Sequence, residues 1–357
     1  MLILIINPGS TSTKLAIYED ERKLLKKSIS HPTEKLREFS KPSEQREFRA
    51  QVVKEFLDES GYAPEKLDCI VARGAGGLPP IHGGAYVINR HMIDRLTCKP
   101  TMDGNTNLAA LIAYDLAEKN RIPAFIYDGV SVDEMLPFSR ISGIKEYPRS
   151  SRGHTLNSRA TARKVAQDLG KPYADCVFIV AHIGGGYSVD IHWNGKIVDV
   201  IPANEGSFTT ERVGGLTGET IVQIVNERGF DFYRQATRGH GGLVSHFGTH
   251  DAQKVEQMIL DGDAYAALVI EAMAYETAKS ICGLAAMTGG KVDAIIMTGG
   301  LAHYDRLVKM VEERVRFLAP VVVEAGEFEL EALAMGGLRV MRGEETAEEY
   351  SDADFHD

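Results

Sequence analysis

Two short polar loops, each directly after an apolar strand, carry the groups in this sequence that could hold phosphate. The first is Asn7-Pro8-Gly9-Ser10-Thr11-Ser12-Thr13-Lys14, which follows residues 2–6 and offers hydroxyls, an amide and an ammonium group. The second is His182-Ile183-Gly184-Gly185-Gly186, which follows residues 177–181 and offers bare backbone amides. Small residues let backbone amides approach phosphate oxygens, and hydroxyls add donors. The two loops therefore predict a site for a polyphosphate.

The two loops belong to a repeat of half the chain. If Asn7 is matched with His182, the offset is 182 − 7 = 175, and the turn at Glu19-Asp20 then meets the turn at Asn194-Gly195. An Asn-Gly pair between two alternating runs is a strong hairpin signal. A buried strand, a polar loop and a second strand thus occur twice, which predicts two related domains whose loops grip the two ends of the ligand.

A third loop, Thr298-Gly299-Gly300, follows an apolar strand at 294–297 and is expected to open a helix, where amides and the helix dipole favour an anion or a ribose. Neither a Walker A sequence nor Gly-x-Gly-x-x-Gly is present. Each loop alone is equally consistent with a tight turn; three of them together indicate nucleotide binding. The candidate phosphate- and nucleotide-binding residues are Asn7, Ser10, Ser12, Lys14, Gly184, Gly185, Gly186, Gly299 and Gly300.

Composition limits the class of protein. The chain has 357 residues, 44% of them apolar, which predicts a soluble protein of two domains. A net charge of −10 argues against nonspecific binding to nucleic acid or anionic membranes. The apolar run at the N-terminus stops at Asn7-Pro8-Gly9, unlike a signal peptide, and no apolar run approaches the ~20 residues that span a bilayer. The four cysteines form no Cys-x-x-Cys pair, which predicts reduced thiols and a cytoplasmic protein.

Strands and helices alternate along the chain, which predicts an α/β fold with a layered sheet in each half. Ser43 is the expected N-cap of a helix that Gly61 ends. The turn-rich segment 149–154 is the expected boundary between the halves, and residues 344–357 are expected to form a solvated acidic tail. The predicted strands are 2–6, 15–18, 68–72, 124–127, 177–181, 188–193, 196–201 and 294–297; the other predicted helices are 107–119, 263–287, 305–316 and one beginning near Glu331.

This arrangement resembles the superfamily of acetate and sugar kinases, heat-shock chaperones and actin. Within it, the first two loops are similar to the acetokinase signature, and the segments 71–78, 206–216, 241–244 with 248–251, and 331–340 resemble the butyrate branch of that family more than the acetate branch. The resemblance implies duplicated ribonuclease-H-like (actin-like ATPase) domains, each a mixed sheet flanked by helices, with a cleft between them. It places residues 1–150 and about 329–357 in one domain and 151–328 in the other.

The resemblance implies reversible phosphoryl transfer between ATP and butyrate, or a branched short-chain acid, giving an acyl phosphate and ADP with Mg²⁺, in a homo-oligomer. A carboxylate is already ionised at neutral pH and needs no general base. The site must instead neutralise charge and align the reactants, which calls for arginine, histidine and amide donors.

The resemblance assigns roles to three of these residues. Arg73 would lie near the substrate carboxylate, Arg212 would stabilise the phosphoryl group in transfer, and Asn7 would contact that group. A surface salt bridge is the alternative for Arg73, and a surface pair with Glu211 is the alternative for Arg212.

Two histidines and three acids complete the candidate set. His182 replaces the acid that many relatives carry at this loop, and His154 resembles the family's other active-site histidine, with a simply packed or exposed ring as the alternative. Asp128 would orient an arginine or a metal-bound water, or else cap a turn. Glu329 and Glu331 compete for the role of the metal-linked glutamate.

The chain departs from the acetate branch in two places. Gly185 stands where an amide side chain is expected, which leaves only backbone contacts. The residues after Arg73 are small, and we expect their missing volume to leave room for a longer acyl chain. The alternatives are an acetate or propionate kinase, a phosphohydrolase of the same fold, which would lack an acid at His182, and an ATP-driven filament or chaperone, which would leave the arginines unexplained.

Overall fold

A computed structural model describes residues 1–351. Its strands, in chain order, are β1 (Leu2–Pro8), β2 (Ser12–Glu19), β3 (Arg22–Ser30), β4 (Cys69–Arg73), β5 (Ala85–Val87), β6 (Ala124–Tyr127), β7 (Phe178–Ile183), β8 (Tyr187–Trp193), β9 (Lys196–Pro202), β10 (Ala294–Gly299), β11 (Val321–Ala325) and β12 (Glu348–Glu349).

Its α-helices are α1 (Thr33–Arg37), α2 (Arg46–Ser60), α3 (Arg90–Cys98), α4 (Asn105–Asn120), α5 (Pro137–Arg140), α6 (Thr155–Asp168), α7 (Gly218–Arg228), α8 (Phe230–Ala236), α9 (Gly242–Phe247), α10 (Ala252–Leu260), α11 (Ala264–Ala285), α12 (Asp305–Val315) and α13 (Glu329–Met341).

The strands form two sheets with the same internal order. In the first, β1 pairs antiparallel with β2 and β2 with β3, while β1 pairs parallel with β4 and β4 with β6. In the second, β7 pairs antiparallel with β8 and β8 with β9, while β7 pairs parallel with β10 and β10 with β11. The first sheet adds β5 and β12 beyond β6. This duplicated mixed sheet is the actin-like ATPase fold that the sequence predicts.

The turns that close the two meanders share an unusual backbone. Asp20 and Asn194 both have φ of 52°, and Gly195 has φ of 73°. Left-handed backbone of this kind matches the twist of a two-stranded ribbon, and Asp, Asn and Gly tolerate it best. The hairpin signal in the sequence is therefore confirmed at both turns.

Helices cover both faces of each sheet. In the first, alternate residues of β1, β2 and β4 form a core with α2 and α4, and α13 packs on β1 and β4. In the second, α11 and α12 pack on one face and α6 on the other. Because β1 and β7 are buried on both faces, they read as continuous apolar runs without alternation.

The chain separates into two compact units. One consists of Met1–Asp133 with the described part of Phe328–Asp357, and the other is Glu134–Glu327. The first unit thus ends earlier than the boundary at about 150 that the sequence suggests.

The segment from 134 to 150 is held by β9 of the second unit. The Leu136 N–H donates to the Val198 carbonyl at 3.0 Å. The Arg149 guanidinium donates to the Val200 carbonyl at 2.7 Å and forms an ion pair with Asp199 at 3.0 Å. Turn composition marks a loop, but it does not say which neighbour the loop packs against.

Two further expectations were wrong in detail. Ser43 does not cap α2, because Pro42 starts a 3₁₀ turn and the helix begins only at Arg46. Gly61 does end the helix, with φ of 72°. The predicted acidic tail from 344 is also ordered in part: β12 pairs with β5, and Tyr350 is buried. Residues 352–357 of that expected tail lie outside the described residues.

All four cysteines carry free thiols, and burial raises the pKa of Cys69 to about 12. Within residues 1–351, no helix combines the length and apolar character that crossing a bilayer requires.

Candidate active site

In the first unit, Asn7, Arg73 and Glu329 form one hydrogen-bonded cluster. Asn7 and Arg73 lie at the carboxyl ends of β1 and β4, which are parallel neighbours, and Glu329 is the first residue of α13. The Asn7 Nδ2 donates to Glu329 Oε2 at 2.8 Å, and Arg73 Nη2 pairs with Glu329 Oε1 at 2.8 Å. Arg73 Nη1 also donates to Asn7 Oδ1 at 3.3 Å. The pairing of β1 with β4 and the position of α13 thus bring residues 7, 73 and 329 together.

The two competing glutamates have different surroundings. The side chain of Glu329 is 13% exposed and lies in the Asn7–Arg73 cluster, whereas that of Glu331 is 46% exposed and pairs with Lys23 at 3.0 Å. Glu331 points away because successive helical residues are about 100° apart around the axis. Of the two, Glu329 has the placement that a functional carboxylate needs.

The first of the predicted phosphate-binding loops is a tight turn between β1 and β2. The Gly9 N–H donates to the Ser12 carbonyl at 2.8 Å, and Lys14 lies opposite Asn7 in the strand register. The loop is therefore a tight turn, as the alternative predicted, and the same turn is the one proposed to bind phosphate. Ser10 and Ser12 lie within this turn, beside Asn7.

Asp128 follows β6 in a left-handed conformation with φ of 40°. Its carboxylate is buried and accepts the Gly84 N–H at 2.9 Å, which is the turn-capping geometry considered as the alternative. The strand pair β4–β6 places it next to the end of β4, where Arg73 lies.

The expectation that small residues after Arg73 leave room for substrate was wrong. A Cβ on Gly74 would stand 2.0 Å from the Cα of Gly129, and one on Gly77 would stand 2.5 Å from the Asn107 side chain. The missing side-chain volume is filled by neighbouring backbone and side chains, because these glycines allow two loops to pack at van der Waals contact.

In the second unit, His154 and His182 stack face to face. Their ring centroids are 3.8 Å apart and the rings are 6° from parallel. His182 is at the end of β7 and buried, while His154 is half-buried just before α6. A Cβ on Gly186 would stand 2.6 Å from His154 Nε2, so the stack requires glycine there. Because two cations this close repel strongly, the pair holds at most one positive charge.

The hydrogen bonds of His182 define its neutral tautomer. Asn157 Nδ2 lies 3.1 Å from His182 Nδ1 and also donates to Thr298 Oγ1 at 3.0 Å. An amide N–H at Nδ1 makes that nitrogen the acceptor, so the ring proton sits on Nε2, on the side of Gly184. The partner ring, His154, is fixed through Nδ1 by Ser188 Oγ at 2.9 Å.

The second and third loops adjoin each other. The turn at Gly184 is closed by its N–H to the Gly186 carbonyl at 2.9 Å. Gly299 has φ of 88°, and a Cβ there would stand 2.4 Å from the Ile183 carbonyl oxygen, so only glycine fits. Gly300 opens a 3₁₀ turn and not an α-helix, since α12 begins only at Asp305. The N–H groups of Gly184 and Gly299 already donate to the Gly186 and Gly326 carbonyls, and the helix expected to open at Gly300 is not formed there.

Arg212 is attached to the second loop. Its Nε donates to the Gly185 carbonyl at 3.1 Å, and Thr209 Oγ1 donates to the same oxygen at 3.0 Å. Burial, with Arg238 adding repulsion, lowers the pKa of Arg212, while Glu211 opposes the shift. Within residues 1–351 Arg212 and Glu211 form no ion pair, so the surface-pair alternative does not describe this side chain.

A cavity of about 420 Å³ opens beside this group in the second unit. His154, Arg212, Arg152 and Arg238 supply its cationic and donating side chains. Its apolar wall is made by Tyr187, Pro202, Ala203, Val213 and Tyr233. Such a lining suits a small molecule with an anionic end and an apolar end.

Sequence reasoning missed the residues that hold these groups in place. Asn157, Ser188 and Thr209 fix His182, His154 and Arg212. Asn157 lies on α6, a helix that was not predicted from the sequence. Ser188 lies on the predicted strand β8 but was not singled out there. The spacing of Asn157 three residues after His154 was the one available signal, since it puts both near the first turn of α6.

A duplicated actin-like sheet whose loops carry arginines, stacked imidazoles and bare amides is the equipment of a kinase that acts on an already ionised acceptor. Comparison with known proteins agrees with this class. The model of the acetokinase family matches residues 139–327. The chain belongs to the acetokinase family and is a carboxylate phosphotransferase.

Two relatives cover nearly the whole chain. A protein of Thermotoga petrophila named "Probable butyrate kinase" is 44% identical over 351 residues, 98% of each chain. "Probable butyrate kinase 1" of Thermotoga maritima is 44% identical over 352 residues, again 98% of each. Among solved structures, the acetate kinase of Porphyromonas gingivalis has a TM-score of 0.76 at 17% identity, covering 96% of this chain and 100% of that one. That likeness shows the fold.

Proposed function

We propose that this protein transfers the γ-phosphoryl group of ATP to butyrate, or to a branched acid of similar size, and catalyses the reverse reaction. The cluster of Asn7, Arg73 and Glu329 is the observation that carries this proposal. Its guanidinium is held by a half-buried carboxylate and an amide at the carboxyl edge of a parallel sheet, where ligands of α/β folds bind. A guanidinium fixed in this way suits a carboxylate or phosphoryl oxygen.

The transfer requires no base. A carboxylate oxygen of the acid attacks the γ-phosphorus, the bond from that phosphorus to the β,γ-bridging oxygen breaks, and ADP leaves with the electron pair. Arg73 orients the reacting group, and Asn7 adds an amide donor. We assign Arg212 and the imidazole of His182 to the phosphoryl oxygens, over which negative charge spreads during transfer.

We assign the nucleoside to the loops of the second unit. We assign its phosphates to the glycine-bearing loops and to the hydroxyl-bearing loop at residues 7–14. Gly300 leaves open space at the backbone, whereas Gly184, Gly185, Gly186 and Gly299 let the surrounding loops pack closely. Ser10, Ser12 and Lys14 add hydroxyls and an ammonium group in the first loop. Asp128 would hold the Gly84 turn beside Arg73 and so position that arginine indirectly.

Mg²⁺ would accompany ATP. Within residues 1–351, no group of three or more His, Cys, Asp or Glu side chains is arranged to hold a metal. This fits Mg²⁺, which binds nucleotide phosphates and waters with one or two carboxylates and not a protein cage. Of the two candidate carboxylates, Glu329 is the one that would help to hold the ion, because it alone lies beside Asn7 and Arg73. The ion neutralises phosphate charge when bound.

The acid is proposed to be of butyrate size on two grounds. The two relatives that match 98% of the chain are named probable butyrate kinases. The cavity of about 420 Å³ also joins cationic side chains to an apolar wall, which a longer acyl chain would use better than acetate. We further propose a cytoplasmic homo-oligomer. Its free thiols and the exposed apolar side chains on α11, among them Leu268 and Tyr275, support this.

A hydroxylamine trap tests the proposal. The protein is incubated with ATP, Mg²⁺ and hydroxylamine, and acids of two to six carbons are compared for hydroxamate formation. We expect a maximum at four or five carbons. No hydroxamate with any acid, together with steady release of free phosphate, would establish the phosphohydrolase alternative. A maximum at acetate would refute the size of the acid alone.

A further inference from the structure

A buried arginine lies behind the first phosphate loop. Arg49, on α2, has 0% of its surface exposed. Its Nη1 donates to the Ser12 carbonyl at 2.9 Å and to Thr13 Oγ1 at 3.0 Å, and its Nη2 donates to the Ser10 carbonyl at 3.2 Å. Its Nε donates to Gln45 Oε1 at 2.9 Å. The guanidinium therefore contacts the loop at three points and the residue just before its own helix at one.

All four acceptors are neutral. Within residues 1–351 Arg49 forms no ion pair, and burial lowers its pKa to about 10, so the group stays charged at neutral pH. A buried cation without a carboxylate is costly unless an anion arrives to compensate it. Surface arginines of this chain look different: Arg46, one turn earlier on α2, has the Asp115 carboxylate as its partner at 2.7 Å.

The group next to Arg49 is neutral as well. Thr13 Oγ1 accepts from Arg49 and lies 2.8 Å from Nε2 of His31. Burial and the charge of Arg49 lower the pKa of His31. A neutral imidazole accepts a hydrogen bond from the Thr13 hydroxyl at Nε2. A chain of hydrogen bonds then runs from Arg49 through Thr13 to His31. The positive charge behind the loop is thus not cancelled by its neighbours.

The contacts also fix which way the loop amides point. In a trans peptide the C=O and the following N–H point in opposite directions. Because the Ser10 carbonyl points at Arg49, the N–H of Thr11 points away from it. Arg49 thus turns an amide donor outward and places a fixed positive charge beneath it, and both effects favour a bound anion.

We propose that Arg49 is a positioning residue for phosphate: it shapes and charges the 9–13 loop so that this loop binds a phosphate group of ATP. The inference rests on the proposed function, since that function supplies the ligand. None of the features that identified the loop in the sequence points to Arg49, which lies 37 residues after Ser12 (49 − 12 = 37) in an ordinary amphipathic helix.

The test compares binding of ATP with binding of adenosine by calorimetry, in wild type, Arg49→Gln and Arg49→Lys. Arg46→Gln is the matched control, because it makes the same change on the same helix away from the loop. We expect Arg49→Gln to weaken ATP binding by about tenfold or more while adenosine binding changes by less than about twofold. Arg49→Lys retains the charge but not the forked contacts, so it should recover part of the ATP affinity.

Two results would overturn the inference. If Arg49→Gln binds ATP as wild type does, the residue has no role in phosphate binding. If it weakens ATP and adenosine equally, its role is general support of the fold. Should Arg49→Gln fail to fold, the same comparison is made with Arg49→Lys, where an unchanged ratio of ATP to adenosine affinity would overturn the inference. A wild-type protein that binds no ATP would instead refute the proposed function.

Discussion

At the scale of single residues, the charge of Arg73 is already balanced before substrate binds. Glu329 and Asn7 hold the guanidinium in one orientation, so little rotamer freedom remains to be lost on binding. The second unit uses the same device with neutral groups: Asn157 and Ser188 fix two imidazoles. Both arrangements are preorganised, which is the property that lets a site stabilise a transition state.

Replacing Arg73 with alanine should lower kcat/KM for the acid by about 100-fold or more, because one lost donor to a developing oxyanion costs on the order of 10²–10³ in rate. Arg22→Ala, in an exposed pair with Glu19, is the control and should leave activity within about twofold. Steady-state kinetics with a coupled ADP assay measure both. A loss equal to that of the control would remove Arg73 from the mechanism.

Gly186→Ala should disrupt the histidine stack. The new Cβ would lie 2.6 Å from His154 Nε2, so the ring must move and its contact with His182 is lost. We expect kcat to fall by about tenfold or more, as for loss of a positioned donor. Gly218→Ala, where a Cβ meets nothing within 4 Å, is the control. Unchanged kcat in Gly186→Ala would show that the stack is not needed for catalysis.

The sequence identifies the residues that we propose to contact ligand better than those that support them. Asn7, Arg73 and His182 end apolar strands, so their position was predictable from pattern. Asn157 and Arg49 act through contacts between elements far apart in the chain, and their local sequences look like ordinary helix. Choosing Glu329 over Glu331 also required the structure, because only the phase of α13 separates them.

At the scale of elements, α13 sets the position of Glu329 by packing very closely on the first sheet. A Cβ on Gly336 would stand 2.6 Å from two atoms of the Tyr127 ring, and one on Gly337 would stand 2.3 Å from a methyl of Val71. Two adjacent glycines thus let the helix axis approach β4 and β6, and the first turn of the helix then reaches the end of β1.

Gly336→Ala should therefore lower stability by about 1–3 kcal/mol, the usual cost of overpacking a core, and should also lower activity by displacing Glu329. Urea denaturation measures the first effect. Gly283→Ala in α11, where a Cβ has free space, should be neutral or stabilise by up to about 1 kcal/mol. Equal stability of the two variants would show that α13 does not need its close approach.

The central strands and long helices were predictable because their apolar runs are long and uniform. The helices α7 to α10 were missed because they are short, and most of their residues lie at the surface. Strand β12 was missed because two glutamates in an acidic stretch give no strand signal; only pairing with β5 orders them.

At the scale of the whole molecule, several carboxylates are tied to cations or amide donors. Lys171, and then the Val177 N–H, lower the pKa of Asp293, and Arg306 lowers that of Glu256. A lowered pKa in the folded state means that such a group stabilises the fold above its unfolded pKa and stops doing so as the pH falls through its folded pKa.

The thermal midpoint should accordingly fall as the pH drops below about 4. Asp293→Asn should lower the midpoint at pH 7, and its difference from wild type should shrink as the pH falls below about 4, because the unfolded chain then takes up the proton and the folded carboxylate, whose pKa is lowered, follows at still lower pH. Glu313→Gln, an exposed carboxylate on α12, is the control. Calorimetry at several pH values measures these midpoints, and a difference that stays constant to pH 2 would contradict the role of Asp293.

The most direct test of the central claim is ³¹P NMR of the protein with Mg²⁺, ATP and butyrate. A carboxylate kinase predicts an acyl-phosphate resonance that grows with ADP in equal amounts and disappears when excess ADP is added, because the transfer is reversible. ADP formed together with inorganic phosphate, with no acyl-phosphate resonance at any time, would contradict it.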